Sequence, residues 1–369
     1  MNPKNSWHKV GAVQTLAKKP LQQIEIAKVK IALSYRDGEF HAVSGVCNHV
    51  GGPLGDGTIE GDYIVCPWHY YKFHYKTGEG EPGYENDKVA SYQLKVENDT
   101  LWIDLVPVTP TNKLFHEPLP LARKPERAPG PLRIAGISTT VMDSKHPRYS
   151  TSEVLLEAAL KHAQEKSYDT HLLKLRDLNF RHCEGFYSKN AHACIWPCSI
   201  TQIDPTDQLD QVYEDLVHWA DVILISTPIR WGSASSLYFK MVERLNCIQN
   251  QITTHNNQLI HNKVAGFIIT GGQDNVQSVA GHMMGFFSEL GFHLPPFPFI
   301  AHSLGWSMEN MEYNVRYVQR NETLAEAACD LTQRCADLAH ALITSSYPDT
   351  LVNRGGRKAF NTEKHEDLS

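Results

Sequence analysis

Cys47-Asn48-His49 and Cys66-Pro67-Trp68-His69 are two short motifs with sixteen residues between them. Together they supply two cysteine thiols and two histidine imidazoles. Thiolates and imidazoles select transition metals and iron–sulfur clusters rather than hard cations. Gly51 and Gly52 follow the first motif, and Pro67 lies inside the second, so the backbone can turn tightly around a metal centre. The pattern predicts that the two motifs are the ligand loops of one metal site.

The order of the ligands separates two kinds of metal site. A zinc site of two cysteines and two histidines usually has its cysteine pair before its histidine pair, whereas each motif here contains one of each. A [2Fe-2S] cluster with two cysteines on one iron and two histidines on the other, the Rieske centre, matches this order. We predict that Cys47, His49, Cys66 and His69 ligate such a cluster. Zinc and ordinary buried side chains remain as alternatives.

The region from Trp7 to Leu105 resembles a Rieske-type ferredoxin domain, including Phe73 and the Thr77-Gly78 turn beyond the second motif. Tyr70 departs from the family, which usually has glycine after the second histidine. Neither motif contains the extra cysteine of respiratory Rieske proteins, so the resemblance is to the soluble ferredoxin branch. Short alternating runs such as Gln23-Ile24-Glu25-Ile26 also predict strands. We therefore expect residues 1–105 to form a small all-β domain.

Composition limits the class of protein. With 369 residues and 41% hydrophobic content, the chain is long enough for two domains. It contains no run of eighteen apolar residues and begins without an apolar signal segment, so we expect no membrane span and a cytoplasmic location. Eight cysteines fit a reducing compartment. The net charge of -6 argues against nucleic acid as a partner.

Residues 106–130 contain six prolines and predict a linker, and the polar residues 346–369 predict a disordered tail. Between them, residues 131–345 alternate between strand-like and helix-like runs. The strand-like runs are Leu132–Ser138, His171–Leu178, Asp221–Thr227, Lys263–Gly272 and Phe297–Ala301. The helix-like runs are Thr151–Gln164, Asp207–Trp219, Ser233–Cys247, Asn275–Leu290 and Asn321–Ile343. This alternation predicts an α/β domain with a doubly wound, five-stranded parallel sheet.

Ligands of such sheets bind beyond the carboxyl ends of the strands, so the loops after strands one, three and four carry the predicted site. Residues 131–343 resemble the flavodoxin-like NAD(P)H-dependent FMN reductases. The resemblance implies that the first loop holds the FMN phosphate and that the other two line the flavin ring. The implied cofactor-binding residues are Ser138, Thr139, Ser150, Thr151, Ser152, Thr227, Pro228, Ile229, Trp231, Gly232, Gly271, Gly272 and Gln273. A plain helix N-cap is the alternative interpretation of Ser150–Ser152.

No G-x-G-x-x-G motif follows a strand, so a separate dinucleotide-binding domain is not expected. The resemblance instead implies that the nicotinamide of NAD(P)H stacks directly on the flavin. It also implies a homodimer or homotetramer. The sequence does not distinguish NADH from NADPH, and it identifies no catalytic residue.

Cys183, Cys194 and Cys198 lie close together in the sequence after the second predicted strand. Some iron–sulfur flavoproteins of this fold bind a [4Fe-4S] cluster in the same loop, but such a cluster needs four closely spaced thiolates. Three interpretations stay open for these residues: a second cluster, buried structural cysteines and a redox-sensing thiol.

The two predicted cofactors suggest one function. NAD(P)H gives up two electrons as a hydride, a [2Fe-2S] cluster accepts one, and a flavin can convert one transfer into the other. We therefore expect an oxidoreductase that passes electrons from NAD(P)H through FMN and the cluster to a redox protein, a quinone or a nitro compound, with the reverse direction also allowed. A non-catalytic redox sensor is the alternative. An acidic run, Glu79, Glu81, Glu85 and Asp87, is either a docking face for a basic partner or a solvated loop.

Overall fold

The computed structural model describes residues 7–112, 120–271, 275–305 and 307–345. The chain separates into two compact units. The first consists of Met1–Pro118 and Glu184–Cys194, and the second of Leu119–Cys183 and Ile195–Ser369. The predicted tail, residues 113–119 of the predicted linker, and the predicted site residues Gly272 and Gln273 lie outside the described residues.

The described strands, in chain order, are β1 (Trp7–Ala12), β2 (Leu21–Ile26), β3 (Val29–Arg36), β4 (Glu39–Ser44), β5 (Thr58–Glu60), β6 (Tyr63–Val65), β7 (Lys72–His74), β8 (Ser91–Glu97), β9 (Thr100–Thr109), β10 (Arg133–Ser138), β11 (Asp169–Lys174), β12 (Val222–Pro228), β13 (Val264–Gly271) and β14 (Phe299–Ser303). The described α-helices are α1 (Val13–Leu16), α2 (Thr151–Glu165), α3 (Phe186–Lys189), α4 (Ser199–Ile203), α5 (Asp210–Tyr213), α6 (Ser236–Arg244), α7 (Asn246–Asn250), α8 (Val276–Leu290), α9 (Met308–Arg320) and α10 (Glu322–Thr344).

The first unit contains two antiparallel sheets, one in the order β1-β9-β8-β4-β3-β2 and one in the order β5-β6-β7. Side chains alternate along a strand, so β3 contributes to two cores. Ile31 and Leu33 belong to the core that also contains Leu101 and Ile103 on β9. Ala32 belongs to the core that contains both cysteines of the sequence motifs. The all-β prediction for this domain is confirmed.

The second unit contains a five-stranded parallel sheet in the order β11-β10-β12-β13-β14. This is the flavodoxin-like order, in which the first and third strands of the sheet are neighbours and the ligand crevice lies at their carboxyl ends. Residues 222–225 of β12 are fully buried, as expected for a central parallel strand. Helices α2 and α10 pack on one face of the sheet through Leu155, Leu156 and Leu331. The predicted doubly wound fold is confirmed.

The structure differs from the sequence prediction in the linker and in one helix. Strand β9 continues to Thr109, four residues into the predicted linker. Residues 120–131 pack as part of the second unit. Leu121 is buried there, and Arg127 forms a bidentate ion pair with Asp221. The proline pattern could not reveal these contacts because their partners are distant in sequence. Helix α9 was not predicted, since its sequence is largely polar.

None of the helices in the described residues is long and apolar enough to cross a membrane.

Candidate metal centre and cofactor cleft

The two sequence motifs form loops with matching backbone hydrogen bonds. The N–H of Cys47 donates to the carbonyl of Gly52 at 2.8 Å, and the N–H of Gly51 donates back to the carbonyl of Cys47 at 3.0 Å. In the second loop the N–H of Cys66 donates to Tyr71 at 2.8 Å, and that of Tyr70 donates to Cys66 at 3.0 Å. Each cysteine thus begins a tight loop of the same shape.

The four predicted ligands come together from these loops. The Nδ1 atoms of His49 and His69 lie 3.2 Å apart, and their rings are nearly perpendicular. Both cysteines are buried. The sulfurs of Cys47 and Cys66 share a hydrogen bond, which with burial raises the pKa of Cys47. The same bond lowers the pKa of Cys66 to about 7, and the N–H groups of Trp68 and His69 also favour its thiolate.

The arrangement fits a [2Fe-2S] cluster with one thiolate pair and one imidazole pair. Burial lowers the pKa of His69 and keeps its imidazole neutral, which is the form that binds metal. A Cβ atom at Gly52 would lie 2.8 Å from the sulfur of Cys66 and 3.2 Å from the Trp68 ring. The space between the two ligand loops therefore has room only for glycine at this position. Among the described residues, no three His, Cys, Asp or Glu side chains converge on one ion, whereas a mononuclear zinc site needs at least three protein ligands.

The two histidines have different surroundings within the first unit. The ring of His49 is half-buried and stacks on Tyr71 at 4.4 Å. The side chain of His69 is buried, with the residue 2% exposed, and its Nε2 donates to the carbonyl of Ala193 at 2.6 Å. The edge of its ring also faces the ring of Phe186 at 4.9 Å. The local pattern could not predict that Phe186 and Ala193 contact a ligand, because they lie more than a hundred positions beyond His69.

The acidic run after the second motif is only partly exposed. Asp87 is buried, and the amide of Asn48, inside the first motif, lies 3.5 Å from its carboxylate. Glu79 forms an ion pair with Lys88 at 2.8 Å. The interpretation of all four residues as one docking face is therefore wrong for Asp87, which packs inside the unit.

A cleft of about 200 Å³ lies at the carboxyl end of the parallel sheet in the second unit. Its lining includes five of the predicted cofactor-binding residues: Ser150, Thr151, Pro228, Ile229 and Gly271. The hydroxyl groups of Thr151 and Thr270 are 2.6 Å apart and join the start of α2 to the end of β13. The structure therefore brings residues from all three predicted loops to one cleft.

The other predicted cofactor-binding residues that the structure describes are not among those that line the cleft. Ser138, Thr139, Ser152 and Thr227 are buried, and the hydroxyl of Ser138 donates to Glu153 at 2.7 Å. Trp231 is 89% exposed at the end of the loop after β12. The carbonyl of its neighbour Gly232 accepts a hydrogen bond from Asn275 at 2.7 Å.

Sequence reasoning missed several residues that line the cleft. Arg148 and Tyr149 come from the long loop before α2, and Arg230 comes from the loop after β12. Asn314 comes from the unpredicted helix α9, and it is buried. The two arginines in the lining of the cleft fit an anionic ligand such as a flavin phosphate ester.

The helix N-terminus at the cleft is capped by Ser150, whose side chain accepts from the N–H of Glu153. The carboxylate of Glu153 receives hydrogen bonds from Arg176 at 2.9 Å and from Ser138, and Lys174 lies 2.8 Å away. Burial alone would raise the pKa of Glu153, but these contacts outweigh it and lower the pKa to about 2. Two cations therefore neutralise the carboxylate, which leaves the helix N-terminus electrostatically suited to an anion.

The three cysteines that are clustered in the sequence do not all belong to one unit: Cys194 lies in the first, and Cys183 and Cys198 lie in the second. Cys198 is buried, and its sulfur accepts a hydrogen bond from Nε of Arg244 at 3.3 Å. Cys183 and Cys194 are half-buried, and neither forms a disulfide. The contacts of Cys198 are those of a structural cysteine.

Two protein families match the chain. Residues 6–93 match the Rieske [2Fe-2S] domain, and residues 134–306 match the NADPH-dependent FMN reductases. Apoptosis-inducing factor 3 from Homo sapiens is 31% identical over 91 residues, which are 25% of this chain and 15% of that protein. The chain therefore spans only about a seventh of the length of the first curated relatives that it matches.

Two further relatives are matched over most of their own length. The ferredoxin component of the naphthalene 1,2-dioxygenase system from Pseudomonas putida is 27% identical over 99 residues, which are 27% of this chain and 95% of that protein. The crystal structure of RosB with bound 8-demethyl-8-formylriboflavin-5'-phosphate has a TM-score of 0.50 and 18% identity, and it covers 64% of this chain and 90% of that one. At that identity the likeness supports the fold alone.

Proposed function

This chain is a fusion of a Rieske [2Fe-2S] domain and an NADPH-dependent FMN reductase domain, and we propose that it divides the hydride of NAD(P)H into single electrons for an acceptor. The fusion makes the chain an NAD(P)H-dependent flavin oxidoreductase with an iron–sulfur cluster. The observation that carries the proposal is the presence, in one chain, of a paired thiol and imidazole site and a separate anion-suited cleft. When bound, FMN would supply the exchange between two-electron and one-electron transfer.

In this proposal the chain's own residues bind and orient the cofactors. Ser150, Thr151 and the N-terminus of α2 hold the FMN phosphate, with Arg148 as a counter-charge. Pro228 and Ile229 line the flavin ring. Ser138, Thr139, Ser152 and Thr227 shape the same loops from the buried side, and Trp231, Gly232, Gly271, Gly272 and Gln273 complete the predicted set.

The acceptor is proposed to be a redox protein, with a quinone or a nitro compound as the small-molecule alternative. The likeness to the ferredoxin component of a dioxygenase system, over 95% of that protein, supports a protein acceptor. None of the eight cysteines forms a disulfide in the described residues, which supports the proposed cytoplasmic location. A homodimer or homotetramer is proposed from the reductase resemblance and is testable by light scattering.

Anaerobic stopped-flow mixing with NADPH tests the electron path. We expect the flavin absorbance to bleach first and the cluster absorbance second. A cluster that stays oxidised while the flavin turns over would refute the path. Cofactors that are tightly bound without any turnover of NAD(P)H would instead favour the redox-sensor alternative.

The Cys47→Ser variant separates the two acceptor classes. It should abolish reduction of a one-electron protein acceptor such as cytochrome c and leave direct quinone reduction at the flavin intact. If both activities survive, the cluster does not lie on the electron path.

A further inference from the structure

Residues Glu184–Cys194 pack with the first unit, although they follow β11 of the parallel sheet in the sequence. The segment has its own hydrogen bonds: the N–H of Ser188 donates to Gly185, and that of Ala193 donates to Asn190, both at 2.9 Å. The side chain of Asn190 accepts from the N–H of His192 at 2.9 Å. It is therefore a folded element. We call it the cap.

The cap contacts the second ligand loop at three points. Ala193 accepts the hydrogen bond from Nε2 of His69, and Phe186 packs against the same ring. Lys189 donates to the carbonyl of Pro67 at 2.8 Å and to the hydroxyl of Tyr70 at 3.1 Å. Its ammonium also lies over the Tyr70 and Phe186 rings, 4.5 and 5.2 Å from their centroids.

We propose that the cap is a built-in positioning element of the cluster, which fixes the His69 ligand and holds the charge of Lys189 beside it. The proposal needs the [2Fe-2S] cluster but not the electron path proposed above. Neither family match describes such a role for these residues.

The hydrogen bond to Ala193 determines which nitrogen of His69 carries the proton. A proton on Nε2 leaves Nδ1 of His69 with a free lone pair. This nitrogen faces Nδ1 of His49, the other predicted iron ligand. Such second-layer hydrogen bonds orient the ring and raise the basicity of the ligand. Ala193 therefore prepares His69 to bind iron without any movement of the ring.

Lys189 acts through its charge. A reduced cluster carries one more negative charge than an oxidised one, so a nearby cation stabilises the reduced state and raises the reduction potential. Phe186 and the cap backbone exclude water from the His69 edge, which strengthens this interaction. Simple packing of a loop would cover His69, but it would not require a lysine held by two hydrogen bonds to the ligand loop.

The test compares two lysine variants by EPR-monitored redox titration of the loaded protein. Lys189→Met should shift the midpoint potential of the cluster downward, and Lys189→Arg should largely restore it. The matched control is Lys95→Met, because Lys95 also lies over an aromatic ring, that of Trp7 at 4.5 Å, on another part of the same unit. If Lys189→Met and Lys95→Met both keep the wild-type potential, the charge role is refuted.

Hydrogen exchange tests the cap first on the wild-type protein, in which the amides of residues 186–193 should be protected. Lys189→Met removes both hydrogen bonds of Lys189 to the ligand loop, so it should increase the exchange of these amides at least about tenfold, the effect expected for loss of one hydrogen bond to a charged group. Exchange of the wild-type segment at the rate of an open loop would overturn the proposal, even if the cluster reduces normally. Conversely, a protected cap with a cluster that NADPH cannot reduce would refute only the electron path.

Discussion

Gly51 and Tyr70 occupy the same position in the two ligand loops. The N–H of each donates to the carbonyl of its loop's cysteine, and both have positive φ, +87° and +63°. Glycine adopts this backbone freely, whereas other residues are strained by about 1 kcal/mol or more. The ring of Tyr70 is held by Lys189 and lies near Phe186. These contacts offset the strain, which explains why tyrosine is compatible with a position where the ferredoxin family usually has glycine.

Two substitutions at Tyr70 separate the strain from the contacts. Both Tyr70→Ala and Tyr70→Gly remove the ring, but only alanine keeps the strained backbone. We expect Tyr70→Gly to be more stable than Tyr70→Ala by about 1 kcal/mol, or roughly 4 °C in the midpoint of thermal cluster loss. Visible circular dichroism of the cluster measures that midpoint. Equal midpoints would show that the loop relaxes away from positive φ.

Adjacent glycines in the first loop should respond differently to alanine. A Cβ at Gly52 meets the sulfur of Cys66, so Gly52→Ala should lower cluster occupancy severely. A Cβ at Gly51 meets nothing within 4 Å, so Gly51→Ala should retain the cluster and lose only about 1 kcal/mol through its positive φ. Iron and sulfide content per chain is the measurement. Full cluster occupancy in Gly52→Ala would contradict the fit of the cluster to the space between the two ligand loops.

The sequence predicted the parallel sheet, and it proposed the four ligands, from local pattern alone. Cys47, His49, Cys66 and His69 lie in two short motifs, and the strands and helices alternate in the hydrophobic periodicity. The sequence did not predict the cap, because the contact between His69 and Ala193 joins positions 124 residues apart. Nothing in the composition of Glu184–Cys194 distinguishes it from an ordinary loop.

The cleft was predicted in part for the same reason. Ser150 lies in the loop after a buried strand, and Pro228 and Gly271 are the last residues of buried strands, so their positions could be inferred from the pattern alone. Asn314 could not, because α9 has few apolar residues and its helical form depends on packing and on the Ser307 cap. Long loops such as the one that carries Arg148 have no periodicity from which a position could be inferred.

The proposed phosphate site predicts a weaker flavin complex in Ser150→Ala. The substitution removes a hydroxyl from the cleft as well as the cap of α2, and we expect FMN affinity to fall about tenfold, the value of one hydrogen bond to a charged group. The control is Asn321→Ala, which removes the corresponding cap of α10, with a side chain that accepts from Leu324. Fluorescence titration of the apoprotein with FMN measures both. Equal losses would mean that Ser150 acts only as a helix cap.

The pair of Arg244 and Asp207 should be essential to the second unit. Both side chains are fully buried, with their two contacts at 2.8 and 3.0 Å. Asp207→Asn would leave the arginine charge unpaired in the interior, at a cost of about 3–5 kcal/mol. Its thermal midpoint should fall by about 10 °C. The exposed pair of Glu312 and Arg316 provides the control, since Glu312→Gln should change the midpoint by less than about 2 °C.

Glu153 should make the stability of the second unit depend on pH in the acidic range. Its pKa is about 2 in the folded chain, against an ordinary value of 4.5, so its ion pairs with Arg176 and Lys174 stabilise the fold above pH 4.5. That stabilisation should be lost progressively as the pH falls from about 4.5 to about 2. Glu153→Gln lacks the carboxylate, so its deficit relative to the wild type should be largest at pH 7 and should shrink within this window.

Urea unfolding followed by far-ultraviolet circular dichroism at pH 7, 4.5 and 3 measures this difference, since most helices belong to the second unit. Glu157→Gln is the matched control: Glu157 also pairs with Lys174, at 2.9 Å, but its side chain is 46% exposed. We expect Glu157→Gln to change stability by less than about 1 kcal/mol at every pH. A Glu153→Gln deficit that stays constant from pH 7 to pH 3 would show that packing of the side chain, rather than its charge, stabilises this end of the sheet.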